Sequence, residues 1–171
     1  MGADQLVEEA GRLLEQLTAR GWSLGSAESL TGGLLAATIV SVPGASSVFA
    51  GSVVAYDPAV KVSALGVDPA LLERVGTVDE DVAVAMATGA RRELGVDLAL
   101  ATTGVAGPGA SEGHPAGTVW LACATAKGVH TRLLALSGER AEVRAGAVRA
   151  ALALGQEVTL SADGGPGYGG A

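Results

Sequence analysis

Residues 26–40 read SAESLTGGLLAATIV. The stretch opens with small side chains, passes through Glu28, Ser29 and Thr31 to the pair Gly32-Gly33, and continues as an apolar segment. A short strand that breaks at glycines and restarts as a helix is the junction of an α/β unit, because glycine lets the chain turn with positive φ and approach other atoms closely. Leu34, Leu35, Ala37, Thr38 and Ile39 predict a buried helix that ends before Pro43 and Gly44. The residues just upstream, WSLGSAE, supply the strand.

Outward from this junction, helical and strand patterns alternate. Leu6, Val7, Ala10, Leu13, Leu14 and Leu17 recur at helical spacing and predict an amphipathic helix over 4–20. GSVVAYDPA reads as a second strand, after which Pro58 opens a short helix, AVKVSAL. DPALLERVG adds a helical turn or two, and VDEDVAVAMATGARRELG a longer helix with acids in its first turn and Gly95 at its close. Strands follow at DLALATTGVAG, GTVWLACATA and GVHTRLLALS, then a helix over 139–154. The last two strands, joined through Lys127-Gly128, read as an antiparallel hairpin. The expected fold is therefore an α/β domain: a three-layer α/β/α sandwich over 1–158 around a mixed, mostly parallel sheet. Residues 159–171 have the composition of a glycine-rich disordered tail.

Composition narrows the function. The 171 residues carry 11 Lys and Arg against 18 Asp and Glu, a net charge of −7, with no basic run beyond Arg91-Arg92. That balance argues against nucleic acid or an anionic membrane as the direct partner. The N-terminal residues lack a basic segment followed by a continuous apolar core, so a cytoplasmic location is expected. Cys123 is the single cysteine, in an alternating apolar run, and is expected to be a buried structural thiol. His114 and His130 have no metal-ligand spacing, so no zinc site is expected, and neither adjoins an acid that would orient it in a Ser-His-Asp triad. Serine activated by lysine is the remaining arrangement, and it requires a lysine whose pKa is lowered by burial or by a neighbouring cation.

Four segments are candidates for such chemistry. ESLTGG lacks the Lys and Ser/Thr of a phosphate-binding P-loop, and a plain helix cap has the same appearance. TTGVAGPGASEGHPAG is a glycine-rich loop leaving a strand, either an ordinary connection or backbone that approaches a ligand. YDPAVK places Tyr56 at a strand end and Lys61 one helical turn on, where a solvated lysine is also ordinary. SGERAEVR puts Arg140 and Arg144 at a helix start, against the helix dipole, which phosphate or carboxylate binding would explain.

Taken together in chain order, these blocks, with VDEDVAVAMATGAR and HPAGTVWLA, resemble the CinA C-terminal domain family, the nicotinamide-nucleotide amidohydrolases, over roughly residues 5–155. The resemblance implies hydrolysis of the carboxamide of nicotinamide mononucleotide to nicotinic acid mononucleotide and ammonia, with no cofactor, in a domain that self-associates as a dimer or larger. Many members carry a further N-terminal domain, and this chain has the length of the stand-alone form. By motif, the resemblance implies Ser29 as nucleophile with Lys61 and Tyr56 as activating partners. It implies Thr31, Gly32, Gly33, Ser46, Thr103, Gly104 and Arg140 as substrate-binding residues, the N–H groups of Gly32 and Gly33 being expected to hold the oxyanion and Arg140 the phosphate. Two positions depart from the family pattern. Leu30 stands where a cysteine is usual, and the loop over 109–116 lacks extra glycines and a lysine before Pro115. A nucleotide-binding module without turnover, or an interaction protein of DNA uptake or repair acting through a protein partner, are the competing functions.

Overall fold

The computed structural model describes residues 3–162. Its elements run α1 (Ala3–Arg20), β1 (Leu24–Glu28), α2 (Leu34–Val40), a 3₁₀ turn (Ala45–Ser47), β2 (Phe49–Val54), α3 (Pro58–Leu65), α4 (Pro69–Val75), α5 (Glu80–Leu94), β3 (Leu98–Gly104), β4 (Thr118–Thr125), β5 (Gly128–Ala135) and α6 (Arg140–Ser161). The final helix extends seven residues past the 154 read from the sequence, and the expected tail beyond residue 162 lies outside the described residues.

Local chemistry sets the helix boundaries. Asp57, Asp68 and Asp79 each accept a hydrogen bond from the backbone N–H two residues on, at 2.7, 2.9 and 2.9 Å, and so cap α3, α4 and α5. Proline follows the cap in α3 and α4, where its missing N–H costs nothing. Gly66 and Gly95 end α3 and α5 in the left-handed conformation, with φ of 68° and 63°.

The sheet has the order β2-β1-β3-β4-β5. β1 pairs in parallel with both β2 and β3, whereas β3–β4 and β4–β5 are antiparallel, so four of the five strands point the same way. Alternation along β3 shows how the layers form. Leu98 and Leu100 enter one core with α1, α2 and α6, while Ala99 and Ala101 face the other with α3 and α5. β4 repeats the pattern, with Val119, Leu121 and Cys123 on the first face and Ala122 and Ala124 on the second. Each fully buried leucine contributes about 2 kcal/mol. The small residues on the second face let α5, itself lined by Ala83, Ala87 and Ala90, lie close against the sheet.

This connectivity locates a crevice. From β1 the chain passes through α2, on the first face, to β2 at the sheet edge; from β2 it crosses the opposite face through α3, α4 and α5 to reach β3 on the other side of β1. The carboxyl end of β1 is thus the point where successive connections diverge, the usual ligand position in open α/β sheets. Ser29 is the first residue beyond that end.

Candidate active site

The turn after β1 is built around two buried polar groups. Glu28, fully buried, turns its carboxylate onto the start of α2 and accepts hydrogen bonds from the N–H groups of Gly33 and Leu35, both at 3.0 Å, and of Ala36, at 2.8 Å. The Ser52 hydroxyl adds a fourth at 3.2 Å. A carboxylate is the side chain best suited to satisfy the free N–H groups of a helix start away from water. Glu28 is therefore a helix cap held away from solvent. Thr31, likewise buried, shares a hydrogen bond of 2.7 Å with Thr102 at the end of β3.

Between these anchors stands Ser29. Its N–H donates to the Thr102 carbonyl at 2.9 Å, and its own carbonyl accepts from Gly32 at 3.0 Å. Its Oγ lies 3.0 Å from Nζ of Lys61, on the first turns of α3. Lys61 is 1% exposed, and Nζ also donates to the carbonyls of Ala55, at 2.7 Å, and Tyr56, at 3.2 Å. Burial pushes the Lys61 pKa below the ordinary lysine value of 10.5; the charges of Glu112 and Asp57 oppose that shift. A neutral lysine amine has two N–H groups and one lone pair. Here the two N–H groups have two carbonyl acceptors, which leaves the lone pair for the Ser29 hydroxyl proton.

Ser29 opens into a cavity of about 240 Å³ whose walls include Tyr56, Thr77, Gly104, Glu112 and Arg140. Tyr56, Gly104, Ser111 and Arg140 also border a second cavity, of about 160 Å³, under the glycine-rich loop over 104–111. Arg140 fastens this side by donating to the Gly107 carbonyl at 2.6 Å and to the Tyr56 hydroxyl at 3.1 Å.

The residues expected from the sequence thus separate into groups. Ser29, Lys61, Tyr56, Gly104 and Arg140 meet at one crevice. Tyr56, 62% exposed as a residue, touches Lys61 through its backbone carbonyl, while its phenol is hydrogen-bonded to Arg140. Thr31 and Thr103 do not line the cavity: both are buried, and the Thr103 hydroxyl is spent on the Thr77 carbonyl at 2.6 Å. Ser46 lies elsewhere, exposed in a groove with Val40 and Phe49 at the β2 edge.

The expected oxyanion donors also need correction. The Gly32 N–H is bonded to the Ser29 carbonyl and that of Gly33 to Glu28, so neither is free for a ligand. The two glycines serve the turn itself, with φ of 56° and 93°. Among the described residues, the N–H groups of Leu30 and Thr31 have no internal acceptor. Arg144 holds the same two residues by their carbonyls, donating to Leu30 at 3.2 Å and Thr31 at 2.6 Å. The spacing of Arg140 and Arg144 was visible in the sequence; that the second would grip the turn backbone was not. Thr77 and Glu112 were not singled out: Thr77 lies outside the four candidate segments, Glu112 is one unremarked position within the glycine-rich one, and only the fold brings their loops together.

Among the described residues no cluster of three His, Cys, Asp or Glu side chains is placed to hold a metal ion, and no helix is long and apolar enough to cross a membrane.

Comparison with known proteins is consistent along the whole domain. Residues 6–159 match the family model described as the CinA C-terminal domain. A CinA-like protein of Frankia casuarinae is 45% identical over 174 residues, covering 96% of this chain and 40% of that protein. A CinA-like protein of Mycobacterium avium is 47% identical over 151 residues, covering 82% of this chain and 35% of its own length. The chain therefore spans two fifths or less of these curated relatives. Among solved structures, a competence-damaged protein (CinA) superfamily protein from Klebsiella pneumoniae superposes with a TM-score of 0.88 at 35% identity, covering 91% of this chain and 98% of that one. One from Escherichia coli gives 0.86 at 35% identity, covering 94% and 92%.

Proposed function

From the premise that this chain belongs to the CinA C-terminal domain family, we propose that it is an amidohydrolase that cleaves the carboxamide of nicotinamide mononucleotide to nicotinic acid mononucleotide and ammonia. The observation that carries the reading is the 3.0 Å contact between the Ser29 hydroxyl and the buried amine of Lys61. A buried lysine beside a serine at the carboxyl end of a parallel strand has an arrangement suited to acyl transfer.

In this reading Ser29 Oγ attacks the amide carbonyl carbon as its proton passes to Lys61 Nζ. The developing oxyanion lies against the N–H of Leu30, the residue after the nucleophile, which the Arg144 grip on the Leu30 and Thr31 carbonyls helps to hold in place. Lys61 then returns the proton to the amide nitrogen, the C–N bond breaks and ammonia leaves an ester on Ser29. Water attacks that ester, Lys61 again takes the proton and restores it to Ser29, and the acid departs. Arg140, beside the second cavity, takes the phosphate.

The test is ammonia release from nicotinamide mononucleotide by the purified protein, with the acid product identified. Ser29→Ala is expected to lower kcat by about 10⁴-fold while ligand binding persists. Binding without turnover by the unmodified protein would instead make the site a nucleotide-binding module.

A further inference from the structure

Hydrolysis as described gives no part to Glu112, although its side chain stands in the same cavity as Ser29. Thr77 fixes this carboxylate through its N–H, at 2.6 Å, and its hydroxyl, at 2.8 Å. Burial disfavours its charge, but the bonds from Thr77, the Val78 N–H and the neighbouring His114 outweigh this and hold the carboxyl below the usual glutamate range. Among the described residues no lysine or arginine forms an ion pair with it. The site thus maintains an anion in the same cavity as the reacting serine.

For a neutral amide this placement is a disadvantage. A negative charge near Lys61 favours the ammonium form, which cannot accept the Ser29 proton. A ligand with its own fixed positive charge removes the disadvantage, because it pairs with Glu112 and offsets that field at Lys61. Arg140, which lines this cavity and the second one, and the backbone of the glycine-rich loop suit an anion. The whole site is therefore dipolar. We propose that Glu112 is the specificity-determining residue, selecting amides carried on a cationic ring over the same amide on a neutral ring. This rests on the amidohydrolase reading and narrows its substrate class.

The test compares nicotinamide mononucleotide with its reduced dihydropyridine form, which keeps the carboxamide, ribose and phosphate but loses the ring charge. Binding is measured by calorimetry to Ser29→Ala protein, with and without Glu112→Gln. The glutamine removes the charge, keeps one acceptor for the Thr77 N–H, and turns its NH2 toward the Thr77 hydroxyl, whose oxygen can accept. The parent is expected to prefer the oxidised nucleotide by about fivefold, as for a partly solvated ion pair, and Glu112→Gln to bring the two affinities within twofold of each other. An unchanged preference in the variant, a parallel loss for both ligands, equal binding by the parent, or binding of neither nucleotide overturns the inference. Failure of the unmodified protein to release ammonia from the oxidised form, with the Glu112-dependent preference intact, overturns the hydrolytic reading alone.

Discussion

A lysine can act as a base only while it is neutral, so the environment of Lys61 is where the account is most exposed at the residue scale. Burial lowers its pKa below 10.5, and the carboxylates of Glu112 and Asp57 pull it back toward the charged form. Lys61 must lose its proton to work, so kcat/KM is expected to rise with pH through that lowered value and not through the ordinary lysine range. Asp57→Asn removes one opposing anion while keeping an acceptor for the Ala59 N–H, and should move the rising limb of the pH profile to lower pH. A shift to higher pH, or none, would show that another group sets the limb. Little of this was legible in sequence. ESLTGG and YDPAVK point to Ser29 and Lys61, but the depth of Lys61 follows from α3 packing on α5, a contact between segments distant in the chain.

Elements place these groups, and one contact between elements matters most. Gly89 lies inside α5, where α3 crosses it so closely that a Cβ there would stand 2.0 Å from the Leu65 carbonyl oxygen. Backbone cannot yield as a side chain tip does. Gly89→Ala is therefore expected to cost about 1–3 kcal/mol in denaturant unfolding and, because α3 carries Lys61, to lower kcat in the folded protein as well. Unchanged stability and turnover would mean that α3 does not need this close approach to seat the lysine. The alternation of helix and strand, the hairpin, the proline that opens α3 and the glycine that closes α5 were readable, because proline and glycine state local geometry directly. Gly89 was not, since a glycine in a helical pattern reveals nothing of what crosses it. Likewise GG in ESLTGG reads equally well as an oxyanion cradle or as a turn; only the folded chain, with Gly32 N–H on the Ser29 carbonyl and Gly33 N–H on Glu28, shows that the amides are already used.

For the whole molecule, the two cores share the strands between them, with β3 and β4 sending alternate residues into each. Cys123 sits in the first of these, fully buried, and burial alone pushes its thiol up to about 12 from an ordinary 9.0. It should resist alkylation at pH 9 until the protein unfolds, then react with the unfolding transition followed by tryptophan fluorescence; rapid reaction in native buffer would contradict the packing. The alternating apolar run around Cys123 made its burial legible, whereas the strand order and the divergence at β1 depend on long-range pairing that no local pattern encodes. Because every other serine of the described chain lacks the Ser29 relation to a buried lysine, a serine-directed fluorophosphonate tests the central claim independently of any substrate. Peptide mass analysis after treatment is predicted to find one adduct, on Ser29, with fluoride displaced, and to find none in Lys61→Met protein. Amide hydrolysis that proceeds while Ser29 stays unmodified, or an adduct that persists in Lys61→Met, would contradict a serine nucleophile activated by lysine.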